Sequence, residues 1–230
     1  MDQHHVQKAY LKNFVAKGKL WVFNKKTGEY CPKPASQCTT EENFQTIQLE
    51  KLQNSTIERP GIQNLRKITS DENLSEDDIG IILYWTALHS IRNKNYRENS
   101  GINYDSKFDE LLETEKLFTN YFRHISTYCC TGDEFFITSD NPIIEFYLGK
   151  YILRVLAWSP NKAILFSPID SYPNHELKFP EFVNSILLAT SFEEIYVNKK
   201  DLPIKKYEAN IKHYNLKPDF ENTAFSLEHE

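Results

Sequence analysis

Apolar side chains recur at Val6, Tyr10, Leu11 and Phe14, a one-sided stripe that predicts a short helix over about residues 5–15. Gly18 closes it. Leu20–Phe23 is an apolar run, Asn24–Gly28 is turn-forming and Glu29–Cys31 can return beside the first run, so a β-hairpin is expected with Gly28 at positive φ. Pro32–Thr40 is polar and reads as loop. Leu49, Leu52 and Ile57 have helical spacing over Gln48–Ile57, Pro60 interrupts, and Ile62, Leu65 and Ile68 resume it. Ser75 followed by Glu76, Asp77 and Asp78 marks a helix start, a hydroxyl cap ahead of acids that suit the helix dipole. That helix should run to about Arg97, and its apolar stretch Ile81–Trp85 makes it central. A second long helix is expected over about 106–126, carrying Phe108, Leu111, Phe118, Phe122 and Ile125. Beyond Gly132 the pattern becomes strand-like at Phe135–Thr138, Tyr151–Trp158 and Ala163–Phe166. Pro180–Ser191 reads as a helix with proline at its start, Glu194–Val197 as a last buried strand, and the polar C-terminal residues carry no assignment.

The order predicts an α+β fold: an N-terminal helix and β-hairpin, central long helices, and a C-terminal mixed β-sheet. One domain over 1–230 accommodates it, helical over about 48–126 and β-rich over about 133–198. Fifteen Phe and 13 Tyr supply apolar area for a sizeable core. The net charge of −5 argues against global attraction to nucleic acid or anionic membrane. Lysines near the hairpin (Lys17, Lys19, Lys25, Lys26) and near the end (Lys199, Lys200, Lys205, Lys206) leave room for local basic patches. Cys31, Cys38, Cys129 and Cys130 form no CxxC pair and read as reduced thiols. With no secretory pattern at Met1–His5 and no apolar run of membrane-spanning length, a cytoplasmic protein without membrane association is expected. Walker and dinucleotide glycine signatures are absent, so no nucleotide cofactor is expected.

The most informative segment is Phe136-Ile137-Thr138-Ser139-Asp140-Asn141-Pro142. An apolar strand stops there at small polar residues and a proline that bars a central strand from continuing. Read blandly, it is an Asx-Pro turn. Read functionally, a rigid strand end presents the Asp140 carboxylate and the Asn141 amide.

Together with Gln3-His4-His5-Val6-Gln7-Lys8-Ala9-Tyr10-Leu11-Lys12-Asn13-Phe14, this segment resembles a bacterial family catalogued as domain of unknown function family 4238. The resemblance covers most of the chain. His4 falls on the family's histidine nearest a Val-Pro step, with Gln3 in place of a preceding histidine and Gln7 in place of the proline. Glu58 resembles a helix-borne glutamate of that family, Arg92 a helical arginine, Trp158-Ser159-Pro160 a Ser-Pro step and Asn184 a late asparagine. The resemblance thus implies a polar set of His4, Glu58, Arg92, Asp140 and Asn141, and buried charges in such a set form either a structural network or a site.

If the set converges, His4, Glu58 and Asp140 could ligate Mg or Mn, with Asn141 adding an oxygen and Arg92 gripping phosphate. The expected activity is then that of a metal-assisted phosphodiesterase or nuclease acting on nucleic acid or a nucleotide, in a setting such as bacterial defence. A metal-free version has Asp140 orient His4 as general base. The alternative from another class is a non-catalytic protein-binding or assembly module, in which the His/Asp/Arg set is structural. Tyr147, Tyr151, Trp158 and Tyr172 would then present a partner surface.

Overall fold

The computed structural model describes residues 2–4, 6–42, 45–92, 110, 113, 121–148, 151–169, 178–214 and 224–226. The N-terminal half contains β1 (Asp2–His4), α1 (Lys8–Leu11), β2 (Leu20–Asn24), β3 (Tyr30–Lys33), β4 (Thr40–Glu42), α2 (Ile47–Gln53), α3 (Arg59–Thr69) and α4 (Glu76–Arg92). The C-terminal half contains β5 (His124–Cys129), β6 (Thr138–Ser139), β7 (Ile143–Leu148), β8 (Tyr151–Ser159), β9 (Lys162–Ser167), α5 (Phe179–Thr190), β10 (Glu194–Val197), α6 (Ile204–His213) and β11 (Ala224–Ser226).

Three sheets result. β1 pairs with β4, a second sheet has the order β3-β2-β10-β6, and a third has the order β11-β7-β8-β9-β5. All pairings are antiparallel except β11 with β7, so the larger C-terminal sheet is mixed. This is the expected α+β class.

The β2–β3 hairpin forms because Asn24 Oδ1 accepts from the N–H groups of Lys26 and Thr27 at 2.9 and 3.0 Å, an Asx turn, and Gly28 supplies φ +71°. At the start of α4, Ser75 Oγ accepts from Asp78 N at 3.1 Å while Asp78 Oδ2 accepts from Ser75 N at 3.0 Å, a reciprocal capping box. The α4 and α3 helices pack face to face, and Gly61 makes this possible. A Cβ placed on Gly61 would lie 2.4 Å from Cδ1 of Trp85. Trp85 is fully buried and stacked on His89 with ring centroids 3.8 Å apart, so it has little room to yield. Gly61→Ala is therefore expected to destabilise the protein by about 1–3 kcal/mol through overpacking, read from urea unfolding. An unchanged midpoint would show that the two helices can separate.

Tyr10 joins the N-terminal segment to the rest of the core. Its ring contacts Phe14, Trp85 and Trp158. Its hydroxyl donates to the carbonyl of Ala157 at 2.6 Å and lies 2.7 Å from Thr138 Oγ1. Burial pushes the phenol pKa well above its ordinary value. Deeper in the third sheet, Arg154 on β8 pairs with Glu145 opposite it on β7, and both are buried. Arg154 Nη1 also donates to Thr86 Oγ1 on α4 at 3.0 Å, and its guanidinium lies 5.0 Å from the Phe122 ring.

Several expected elements change. The N-terminal helix shrinks to Lys8–Leu11 with a 3-10 turn over Lys12–Phe14, and His4 lies on a strand. That strand was missed because its partner, β4, is far along the chain. Pro60 does not interrupt the helical path; it sits at the start of α3. Leu52, expected to point inward, is 58% exposed. The tail of the helix expected over 106–126 is instead strand from His124. Apart from Glu110 and Glu113, residues 106–120 lie outside the described residues, as do residues 93–97 at the expected end of α4. The β6 strand is only Thr138–Ser139, and a strand resumes immediately after Pro142. Pro142 marks the corner where the chain leaves the second sheet for the third, so it ends one pairing without ending extended backbone. β7, α6 and β11 were not anticipated.

Candidate functional site

The strongest polar convergence lies where β1 meets the helical path of α2 and α3. Between them, residues Asn54–Glu58 form a π turn, in which Arg59 N–H bonds the carbonyl of Asn54 five residues back. Pro60 follows at once and has no N–H to give, so the hydrogen-bond register opens just ahead of it. Regular helix at 3.6 residues per turn would rotate residue i+8 by about 80° away from residue i. The wide turn takes up that drift, and Glu50, Asn54 and Glu58 all line one cleft. π turns of this kind recur at functional sites.

Arg92, at the end of α4, lies behind this wall. It is fully buried. Its Nη1 donates to Glu58 Oε1 at 2.5 Å, and its Nη2 donates to the main-chain oxygen of His4 at 2.6 Å and to Glu50 Oε2 at 3.4 Å. One guanidinium thus ties α4, the π turn, α2 and β1 together. A planar fork suits this use, because its donors diverge in fixed directions. Burial raises the Glu58 pKa, and the Arg92 charge beside it pulls in the opposite direction. Its second oxygen, Oε2, takes no hydrogen bond from a described residue.

His4 Nδ1 lies 3.1 Å from the carbonyl oxygen of Cys38. A carbonyl only accepts, so Nδ1 carries the proton of that bond. Nε2 is left for the cleft that His4 lines. The cleft has a volume of about 320 Å³, and Gln7, Lys8 and Lys12 complete its polar lining. Trp85 Nε1 donates to Gln7 Oε1 at 3.0 Å, which turns the amide nitrogen of Gln7 away from the tryptophan. Lys8, Lys12 and Arg92 against Glu50 and Glu58 leave one net positive charge before His4 is counted.

Asp140 does not join this cluster. Its Oδ1 accepts from Phe192 N at 2.8 Å, and its Oδ2 accepts from Glu193 N at 2.6 Å and Glu194 N at 2.9 Å. Its own N–H donates to the carbonyl of Glu194 at 3.1 Å. Asp140 therefore fastens the turn between α5 and β10 to the end of β6. Burial pushes its carboxyl up to about 6, although the three N–H donors and the Lys25 charge pull downward. Ser139 and Asn141 close a local turn: Ser139 Oγ donates to the carbonyl of Asn141 at 2.8 Å and accepts from its N–H at 3.0 Å. Asn141 Oδ1 is buried with no hydrogen-bond partner among the described residues. Asn184 on α5 is equally internal, since its Oδ1 accepts from Ile137 N and its Nδ2 donates to Phe135 O, at 2.9 and 2.8 Å.

The expected five-residue set thus divides. His4, Glu58 and Arg92 converge, whereas Asp140 and Asn141 belong to a turn that holds two strands. The Mg or Mn set of His4, Glu58 and Asp140 does not fit this arrangement. Both Asp140 oxygens are committed to backbone donors, and no three His, Cys, Asp or Glu side chains among the described residues stand close enough to share a metal. Sequence reading missed Glu50, Lys8, Lys12, Gln7 and Asn54. The signals present were the eight-residue interval from Glu50 to Glu58, with Asn54 midway, and the i, i+4 pair Lys8 and Lys12.

Fold and site together define an α+β protein in which the N-terminal strand and central helices form a cleft lined by His4, Glu50 and Glu58, with Arg92 buried behind its wall. The chain belongs to the family described as Protein of unknown function (DUF4238), which matches residues 2–128, more than half of the 230. The matched segment contains His4, Glu58 and Arg92 and stops short of Asp140 and Asn184, so it is narrower than the extent expected from the motifs. No curated protein matches the chain, and no solved structure matches it. Among the described residues, no helix is long and apolar enough to cross a membrane.

Proposed function

We propose that the cleft is an acid–base phosphodiesterase site acting on nucleic acid, with His4 and Glu58 as its two proton-transferring groups. The observation that carries this reading is the shared guanidinium: Arg92 holds both the Glu58 carboxylate and the His4 backbone at the wall of one cleft. A carboxylate with its pKa raised by burial is suited to accept a proton. A histidine whose Nδ1 is anchored keeps Nε2 aimed and available. Lys8 and Lys12 supply positive charge for phosphates on either side of the reacting bond. Arg92 is a positioning residue, because it is buried and engaged by three oxygens. Both proton transfers run through His4 and Glu58 and do not draw on the Mg or Mn set of His4, Glu58 and Asp140, since Asp140 is engaged elsewhere.

The test uses RNA and DNA oligonucleotides and bis(p-nitrophenyl) phosphate, each with Mg, with Mn and with EDTA. Cleavage should persist in EDTA. His4→Gln and Glu58→Gln should each lower the rate by about 10²-fold or more. Because Glu58 pairs with the buried Arg92, its variant will also lose stability, so rates are compared well below its unfolding midpoint, and His4→Gln serves as the variant with little stability change. Undiminished cleavage by both variants would remove the site from the reaction.

A second reading, a non-catalytic binding or assembly module, is favoured by the exposure of Ile47 (48%) and Leu52 (58%) on α2 beside the cleft. The partner surface expected of aromatic residues changes accordingly. Trp158 is buried, Tyr147 and Tyr151 are half-buried, and Tyr172 lies outside the described residues.

A further inference from the structure

We infer that the substrate is RNA, and that the attacking group is the substrate's own 2′-hydroxyl; this rests on the phosphodiesterase reading of the cleft. Two carboxylates, those of Glu50 and Glu58, line the cleft. Glu50 Oε2 takes hydrogen bonds from Gln45 and Arg92, and Glu58 Oε2 and His4 Nε2 are taken as the proton-transferring atoms. Hydrolysis by water would require these groups to activate the nucleophile, locate it opposite the leaving oxygen and protonate that oxygen. A 2′-hydroxyl is already attached next to its phosphorus. Intramolecular placement of this kind is worth effective molarities of about 10⁵–10⁸ M, so a site with one base and one acid suffices.

The step balances as follows. Glu58 takes the proton of the 2′-hydroxyl, and a bond forms from O2′ to phosphorus. The bond from phosphorus to O5′ breaks, and the leaving O5′ takes a proton from Nε2 of His4, which enters doubly protonated. The products are a 2′,3′-cyclic phosphate and a 5′-hydroxyl end. Solvent then returns a proton to His4 and removes one from Glu58. The neutral donors fit the same substrate. Gln7 has its oxygen held by Trp85 Nε1, so its amide nitrogen is the end left to meet a non-bridging phosphate oxygen. Lys8 and Lys12, one helical turn apart on the same rim, meet the neighbouring phosphates as point charges. No step draws on base identity. A 2′-hydroxyl is the feature by which a site distinguishes RNA from DNA.

The experiment uses the full chain in EDTA with four oligonucleotides of one sequence: all RNA, all DNA, DNA with a single ribonucleotide, and RNA with 2′-O-methyl groups throughout. The expected result is cleavage of the all-RNA strand, cleavage of the mixed strand only after its ribonucleotide, and a 2′,3′-cyclic phosphate by mass spectrometry. The all-DNA and methylated strands should react at least about 10³-fold more slowly. Glu58→Gln should lose cleavage while still binding the methylated strand. Comparable cleavage of DNA, or 3′-hydroxyl products, would overturn the inference and leave the phosphodiesterase reading standing. If no oligonucleotide is cut and bis(p-nitrophenyl) phosphate is also inert, both fall.

Discussion

Replacing Arg154 by Met should lower the stability of the protein by about 3–5 kcal/mol, because one charge of a buried pair is left behind. Glu145 is 4% exposed, and Arg154 is wholly buried. Without the guanidinium, the Glu145 carboxylate loses this ion pair, Thr86 Oγ1 loses a donor and the Phe122 face loses this cation contact. Small and medium-sized domains have about 5–15 kcal/mol in total, so the variant should be close to the limit of folding. Urea unfolding followed by tryptophan fluorescence measures it. Arg154→Met combined with Glu145→Met should recover much of the loss, since the pair then leaves together. Failure of the double variant to recover would assign the loss to the Thr86 and Phe122 contacts instead.

Asp140→Ala should cost about 1–3 kcal/mol near neutral pH, the cost of leaving buried backbone donors unpaired. Three consecutive N–H groups, of Phe192, Glu193 and Glu194, lose their acceptor. The gap between wild type and variant should also depend on pH. The folded-state pKa of Asp140 is raised to about 6 from an ordinary 3.8, with burial the largest cause. The folded protein therefore holds this proton more tightly than the unfolded chain. The resulting stability is fully present below about pH 4 and is lost as the pH rises through about 6, a span worth roughly 3 kcal/mol. Acidification from pH 7 to 4 should widen the gap by up to that amount, as other groups cancel in the difference. A gap that narrows on acidification would show that the three N–H donors outweigh burial. On the proposed phosphodiesterase reading, activity should be retained by the folded fraction, because Asp140 does not line the His4 cleft.

Local signals were legible wherever the chain decides its own structure over a few residues. The Asn24–Gly28 turn, the Ser75 cap and the proline at the start of α5 all rest on neighbours in sequence. What escaped depends on distant partners. β1 exists because Asp2–His4 pair with Thr40–Glu42. Residues 143–148 are strand because β8 covers them in register. The site was half legible for the same reason. His4, Glu58 and Arg92 were singled out by resemblance, but nothing local distinguishes a carboxylate facing a cleft from one clasping backbone N–H groups, as Asp140 does. The apolar spacing around Leu52 failed because the π turn changes the phase of the helix immediately afterwards.

That turn also separates two properties that usually travel together. A π turn holds one residue more than the regular helix it interrupts. Loss of one residue from 54–57 would let α2 run smoothly into α3, with the Gly61–Trp85 packing downstream kept in register. Helical content would survive, while the residues before the loss would be turned around the axis relative to Glu58. The scaffold and the cleft can therefore diverge through changes in segment length alone, with no chemical substitution among the cleft residues.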